Sequence, residues 1–204
     1  GTSFGQAGST HHAITDLAIT RAMPNLTVIV PADGFETANA VNAAYENYGP
    51  YYIRINRGFD RVLYDNQDYG FEVGKAVEVH EGTDITVIAC GSCVFQAYQA
   101  AKFLENADGL KVRVLDMHTI KPLDKETILK SVKKTNHVVV CENHNIYGGV
   151  YSAIAEMLCQ EYPVKCGVIG VNDVFGQVGK YDELLKTYCM TKEDIVRKVK
   201  EQLK

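Results

Sequence analysis

The clearest pattern in the chain is a short apolar run that ends in a polar crest. Val138 to Cys141 has the length and β-branched content of a strand buried on both faces. Glu142, Asn143, His144 and Asn145 follow, where such a strand would end. Gly148 and Gly149 allow tight backbone geometry before apolar positions at Val150, Ile154, Met157 and Leu158, which have helical spacing. Strand, loop and helix make one half-turn of an α/β domain. Ligands gather at the carboxyl ends of strands in open parallel sheets, so the crest is expected to be either a ligand site or a contact surface.

The same reading covers the rest of the chain. Residues 1–12 form a Gly-rich loop ending in His11 and His12. Ala13 to Ala22 carries Ile14, Leu17 and Ala18 at helical spacing and stops before Pro24. Leu26 to Val30 is β-branched and reads as a strand. Asp33, with Glu36 three positions on, opens a helix in the manner of a capping box. That helix is expected to reach about Tyr48, with Val41, Ala44, Tyr45 and Tyr48 on its inner face, and Gly49-Pro50 stops it. Tyr51 to Asn56 is the next strand, joined to the first by a right-handed crossover. One such unit cannot bury both faces of its sheet and needs more strands from elsewhere.

Phe59 to Phe71 is polar, irregular and aromatic, a connector. Beyond it the pattern predicts strands over Val73–Val79, Asp84–Cys90, Lys111–Asp116 and Val164–Ile169 in addition to the organising strand. Between them lie helices with Val94, Ala97, Tyr98, Ala101 and Leu104 inward, then Ile128, Leu129 and Val132 inward behind an Asp124 cap. Thr191 and Asp194 cap a last helix bearing Ile195, Val199 and Leu203, with Met190 and Ile195 placed as a hydrophobic staple. The expected fold is α/β: an incomplete parallel sheet over residues 1–58, a linker over 59–71, and a complete doubly wound, mostly parallel domain over 72–204. A chain that opens on a bare Gly-rich loop is expected to be part of a longer protein.

Composition narrows the classes. The 204 residues are 46% hydrophobic and 23% charged, with a net charge of −4. Nothing there favours nucleic acid or an anionic membrane. No apolar run approaches the ~18 residues of a membrane span. There is no charged-then-apolar leader, and the six cysteines are dispersed, so the expectation is a cytoplasmic protein with reduced thiols.

Four features carry candidate chemistry. Cys90-Gly-Ser-Cys93 joins a strand to a helix, where a helix N-terminus would favour the Cys93 thiolate; the plainer reading is a small-residue turn with Cys90 as a buried strand end. The histidines lack zinc spacing. No Walker or G-x-G-x-x-G loop is present, yet Gly91-Ser92 and Gly148-Gly149 place backbone N–H groups at helix starts, which can hold anions. His11 could donate to a substrate oxygen, and Arg57, just past a strand end, could grip a phosphate with two N–H groups; the plainer reading is a surface histidine and an interface ion pair.

Taken in order, these segments resemble the C-terminal half of transketolases. Gly5-Gln-Ala-Gly8-Ser-Thr-His11-His12 is similar to that family's G-E-D-G-P-T-H-Q loop. Arg21-Ala-Met-Pro-Asn-Leu, Pro31-Ala-Asp33, and the stretch from Gly49-Pro50 to Arg57 match its next segments. Gly74-Lys75-Ala76, Val114-Leu-Asp116, Ile120-Lys-Pro-Leu-Asp124, Glu142-Asn-His144-Asn, Gly148-Gly149, Phe175-Gly176 and Glu183-Leu-Leu185 follow its C-terminal domain.

The resemblance implies a parent enzyme that transfers a two-carbon ketol unit between ketose and aldose phosphates, using thiamine diphosphate and Mg²⁺ at a dimer interface. It places the cofactor-activating Glu upstream and the Mg²⁺ ligands in another domain, so this chain alone is expected to be inactive and to hold no cofactor or metal. The implied partners are phosphorylated sugars and either a homodimer or an N-terminal thiamine-diphosphate-binding domain or subunit. His11 and Arg57 carry over as substrate contacts. Ala7 stands where the family has an acidic residue that reads a substrate hydroxyl, which leaves the sugar stereochemistry open, and His12 replaces a Gln. Deoxyxylulose-phosphate synthase and 2-oxo acid dehydrogenase β subunits share much of the pattern and form the alternative within the superfamily. A non-catalytic dimerisation or regulatory module is the alternative outside it.

Overall fold

The computed structural model describes residues 1–57 and 61–204. Gly58 and the start of the expected connector, Phe59 and Asp60, lie outside the described residues. Eight strands among the described residues form two sheets. β1 (Thr27–Ile29), β2 (Tyr51–Ile53) and β6 (Thr119–Lys121) form a three-stranded sheet in the order β2-β1-β6. β3 (Val77–His80), β4 (Ile85–Ala89), β5 (Val112–Asp116), β7 (Val138–Asn145) and β8 (Cys166–Val171) form a five-stranded sheet in the order β3-β5-β4-β7-β8.

In the larger sheet β4, β5, β7 and β8 are parallel, and only the edge strand β3 runs antiparallel, against β5. Its central strands are apolar on both sides because both faces are covered. Ile85, Val87 and Ala89 of β4, with Val139 and Cys141 of β7, pack toward α3 (Cys93–Asp108) and α7 (Lys192–Gln202). The alternate residues Ile88, Val138 and Val140 pack toward α4 (Lys125–Thr135) and α5 (Val150–Glu161). The period of two is what splits one strand between two cores. Each fully buried Val, Ile or Leu contributes about 1.5–3 kcal/mol relative to exposure. α6 (Tyr181–Thr187), which the apolar pattern had not separated, completes the first face with Leu184 and Leu185.

The helix boundaries follow their caps. Asp124 accepts from Thr127 N–H at 3.0 Å. Thr191 and Asp194 form the capping box of α7. Met190 and Ile195 are both fully buried beside it. α2 (Gly34–Glu46) starts on Asp33, whose carboxylate accepts from Glu36 N–H at 3.0 Å. Glu36 does not close the box: its own carboxyl reaches back one residue further and accepts from Ala32 N–H at 2.7 Å.

Four expectations are corrected. The first helix is shorter than read, α1 spanning Asp16–Ala22. The face of α2 carrying Val41, Tyr45 and Tyr48 is exposed, with Tyr45 91% accessible; Glu36 and Ala40 are the buried pair. The small sheet is too narrow to cover both sides of that helix. β6 was missed, and it adds to the small sheet antiparallel to β1, pairing Ile29 with Thr119. Finally, the polar crest is not a loop. Glu142, Asn143 and His144 continue β7 and are buried.

Candidate functional site

The crest lies where the end of the larger sheet meets the rest of the chain, and it acts as an internal contact surface. Glu142 accepts from Val150 N–H at 2.8 Å and Tyr151 N–H at 3.0 Å, so it caps α5 from the neighbouring strand. Burial pushes its pKa up to about 7 against those two hydrogen bonds and the fields of Arg54 and Arg21. Gly149 must be glycine here, since a Cβ would sit 1.9 Å from the Glu142 carboxylate. Asn143 Oδ1 accepts from both the N–H and the hydroxyl of Thr2, each at 3.1 Å. Asn145 N–H donates to Ile14 O at 2.9 Å. The N-terminal loop is therefore tied to β7.

Arg54 locks the same seam from the small sheet. Its Nη1 donates to Asn143 O at 3.1 Å and Ala13 O at 3.3 Å, and lies 3.5 Å from Asp16 Oδ1. The Tyr52 hydroxyl donates to the other Asp16 oxygen at 2.8 Å. His144 Nδ1 is 2.7 Å from Asn145 O, which requires its proton on Nδ1 and leaves Nε2 bare, 3.9 Å from Asp16 Oδ1. Burial lowers the His144 pKa to about 4, so the ring is neutral. Reading Arg54 as part of one apolar strand missed this role; an arginine inside Tyr-Tyr-Ile-Arg-Ile was the available signal, because a buried guanidinium needs partners.

Against this anchored backbone the two sequence-predicted site residues come together. The Arg57 guanidinium lies over the Phe4 ring at 3.9 Å, and the His11 ring meets the same phenyl edge-on at 5.7 Å. Arg57 N–H donates to Ser3 Oγ at 3.1 Å, which joins the end of the β2 segment to the N-terminal loop. His11 Nδ1 is 2.9 Å from the Thr10 hydroxyl. Both residues are exposed to solvent. His12 is instead tucked under Gly176, where a Cβ would come within 2.1 Å of its Nδ1, and burial lowers its pKa.

The loop carrying Phe4 also walls a cleft of about 510 Å³, closed on the far side by Arg61, Lys180, Tyr181 and Asp182. That volume lies within the range of small-molecule sites. Gly5 brings the walls together: Gly179 N–H donates to Gly5 O at 3.1 Å, and a Cβ on Gly5 would strike Leu184 at 2.3 Å. Arg61 and Lys180 were not singled out from the sequence, since nothing local marks a surface cation as one wall of a cleft.

A second polar cluster is buried between the sheets and holds no cation among the described residues. The Tyr64 hydroxyl donates to Asp116 at 2.7 Å and the Tyr69 hydroxyl to Glu36 at 2.9 Å, with the two phenols stacked at 3.6 Å. Asp33 accepts from the N–H groups of Leu63 and Tyr64, both at 2.9 Å. Burial is the main cause that raises both carboxyl pKa values, Glu36 to about 7; the charge of Asp33 adds to both and that of Glu36 to Asp116, while the hydrogen bond from Asp116 holds Glu36 down.

The cysteine pair takes the plainer of its two readings. Cys90 and Cys93 are free and buried. Burial pushes both thiols up, Cys93 to about 12, and outweighs the helix start that was expected to favour a thiolate. Among the described residues no group of three or more His, Cys, Asp or Glu side chains is placed to hold a metal ion.

Residues 1–59 match the family model for the transketolase pyrimidine-binding domain, and residues 74–195 match that for the transketolase C-terminal domain. The chain belongs to the transketolase family. It is 39% identical along its whole length to a putative transketolase C-terminal section of Methanocaldococcus jannaschii. It is 35% identical, again along its whole length, to one subunit of the apulose-4-phosphate transketolase of Phocaeicola vulgatus. It spans 64% and 65% of those two relatives, just under two thirds of their length. A solved structure titled as a split-gene transketolase in an inactive β4 tetramer superposes with a TM-score of 0.88 at 40% identity, over 96% of this chain and 62% of that one. The incomplete first sheet and the doubly wound second sheet are thus those of a transketolase-family chain.

Proposed function

We propose that this chain is the C-terminal part, or the C-terminal subunit, of a transketolase that transfers a two-carbon ketol unit between sugar phosphates. In this reading residues 1–58 are the end of the pyrimidine-binding domain, 59–71 a linker, and 72–204 the C-terminal domain. The observation that carries the reading is the convergence of His11 and Arg57 on Phe4, a residue that also lines the cleft. Loops from two parts of the chain bring an imidazole and a fixed cation to one place, as recognition of a sugar hydroxyl and a phosphate requires.

Thiamine diphosphate supplies the carbanion chemistry when bound. The residues here do not fit the cofactor's metal, because no metal-capable cluster exists among the described residues and the cleft wall carries cations. Diphosphate and Mg²⁺ are therefore assigned to an N-terminal domain or subunit that completes the enzyme. This chain's part is positional. His11 orients a substrate oxygen, Arg57 holds the substrate oxyanion with its planar fork, and the Asn143–Thr2 and Arg54–Asn143 bonds fix to β7 the two segments that carry them.

The test assembles the chain with its thiamine-binding partner and follows turnover of xylulose 5-phosphate with ribose 5-phosphate. Arg57→Ala should raise KM for the phosphorylated sugars at least ~10-fold while leaving kcat within a few-fold, since losing one charged hydrogen-bond partner is worth about 1.5–3 kcal/mol. The chain without its partner should show no turnover. Equal KM values for wild type and Arg57→Ala, or turnover by the isolated chain, would overturn the reading.

A further inference from the structure

The Phe4 cleft has a second set of cations that the substrate contacts do not use. Arg61 and Lys180 line its far wall, and neither makes an ion pair among the described residues. Arg61, Tyr181 and Asp182 also line a small adjoining recess of about 20 Å³, whose inner surface includes Ser92. That is room for one water-sized group. Ser92 is the residue immediately before α3, a helix of 16 residues. It is only 9% exposed, its Oγ makes no hydrogen bond to any of the described residues, and it does not cap the helix. A buried hydroxyl without a partner is costly, so its place at a recess calls for an occupant. The α3 N-terminus adds a partial positive charge at the same point.

The recess adjoins a cation-lined cleft, and three features of independent origin meet there: a helix start and a buried hydroxyl at the recess, Arg61 lining both recess and cleft, and Lys180 in the cleft beside it. We propose that Arg61 and Lys180, with Ser92 at the N-terminus of α3, form an anion site that takes the tetrahedral oxyanion of inorganic phosphate or of a small phosphorylated molecule. One oxygen fills the recess at Ser92, and the remaining oxygens lie in the larger cleft against the two cations. Asp182 is the carboxylate on that wall, and it weakens the site without cancelling two cations and a helix end. The site uses different residues from the His11–Arg57 pair, and its test needs no catalysis.

The experiment is an amide NMR titration of the isotopically labelled 204-residue chain with sodium phosphate, at ionic strength held constant with chloride. Saturable shifts are expected at Ser92, Cys93 and Lys180, with half-saturation in the millimolar range. The double variant Arg61→Ala, Lys180→Ala should weaken binding at least 10-fold, and Ser92→Ala a few-fold. Asp182→Asn should tighten it several-fold, a gain that a misfolded variant cannot produce. A parallel titration with ribose 5-phosphate separates the sources. Tighter binding than phosphate at the same amides means the oxyanion arrives on a sugar, and equal binding means the free anion suffices; either supports the site. Shifts that fail to saturate with both ligands overturn it. So does binding that survives the double variant, or binding abolished by Arg57→Ala alone, while the proposed catalytic role of Arg57 is read separately from KM.

Discussion

Replacing Glu36 with Gln should change how stability depends on pH, and the sign follows from the burial of that carboxyl. Glu36 is fully buried, with Tyr69, Asp33 and Asp116 as its polar side-chain neighbours and no cation among them. Its pKa stands at about 7 against an ordinary 4.5, because burial, and to a lesser extent the charge of Asp33, disfavour the carboxylate. Between those two values the folded state holds a proton that the unfolded chain has released. Stability supplied by this group is therefore present at pH 4 to 5, falls as pH rises to about 7, and is flat above that. At about 1.4 kcal/mol per pKa unit, the loss is about 3 kcal/mol.

Gln keeps the shape and the acceptor for Ala32 N–H, but cannot ionise. The unfolding free energy of Glu36→Gln minus that of wild type should thus rise by about 3 kcal/mol between pH 4.5 and pH 8. In melting temperature this is roughly 6–12 °C for a chain of this size. The difference is the proper readout. His118 and His144, both lowered to about 4 by burial, bind fewer protons folded than unfolded, so they add stability as pH rises from about 4 to 6.5 and mask the trend in wild type alone. Urea unfolding followed by circular dichroism at pH 4.5, 6 and 8 gives the two curves. A difference constant to within about 0.5 kcal/mol across that range would refute the reasoning. Asp116→Asn should shift the difference in the same direction, because burial and Glu36 raise the Asp116 pKa too, and the two effects should not add fully because the carboxyls are coupled.

Other outcomes follow from the seam. Arg54→Ala removes a buried cation that ties Ala13, Asp16 and Asn143, and should cost about 3–5 kcal/mol in urea unfolding, more than any exposed arginine of the chain. Gly149→Ala forces the Glu142 carboxylate out of its α5 cap and should lower the melting temperature by several degrees, whereas Gly109→Ala, which meets no atom within 4 Å, acts only through its positive φ of 70° and should cost about 1 kcal/mol. In a thiol titration of the folded chain Cys159 and Cys189, both exposed, should react promptly, and Cys90, Cys93 and Cys141 only after denaturant is added. Rapid labelling of Cys93 would restore the redox reading.

Much of this protein was legible from local pattern. The five-stranded sheet and its helices follow from β-branched runs and helical periodicity, because each strand buried on both faces must be apolar throughout. The caps at Asp33, Asp124 and Thr191 were legible because a cap is a contact within four residues. His11 and Arg57 stood out as candidates from their residue types and places, the family resemblance gave them a shared role, and the structure brings both to Phe4.

What tertiary structure decided was every polar group whose partner is remote in sequence. Glu142, Asn143 and His144 looked like a loop crest because polar residues usually leave a sheet. They stay in β7 because Val150 and Tyr151, the Thr2 loop and Asn145 satisfy them there. Arg54 and the Glu36–Asp116 pair are buried for the same reason. β6 was invisible because three residues carry no period, and it exists only where β1 offers an edge. The cleft at Arg61, Lys180 and Ser92 joins segments far apart in the chain. Sequence by itself determined which segments become strands and helices, since that depends on neighbours a few residues away. Which polar groups could be buried, and where a cleft remained, depended on segments that meet only once the two sheets have packed.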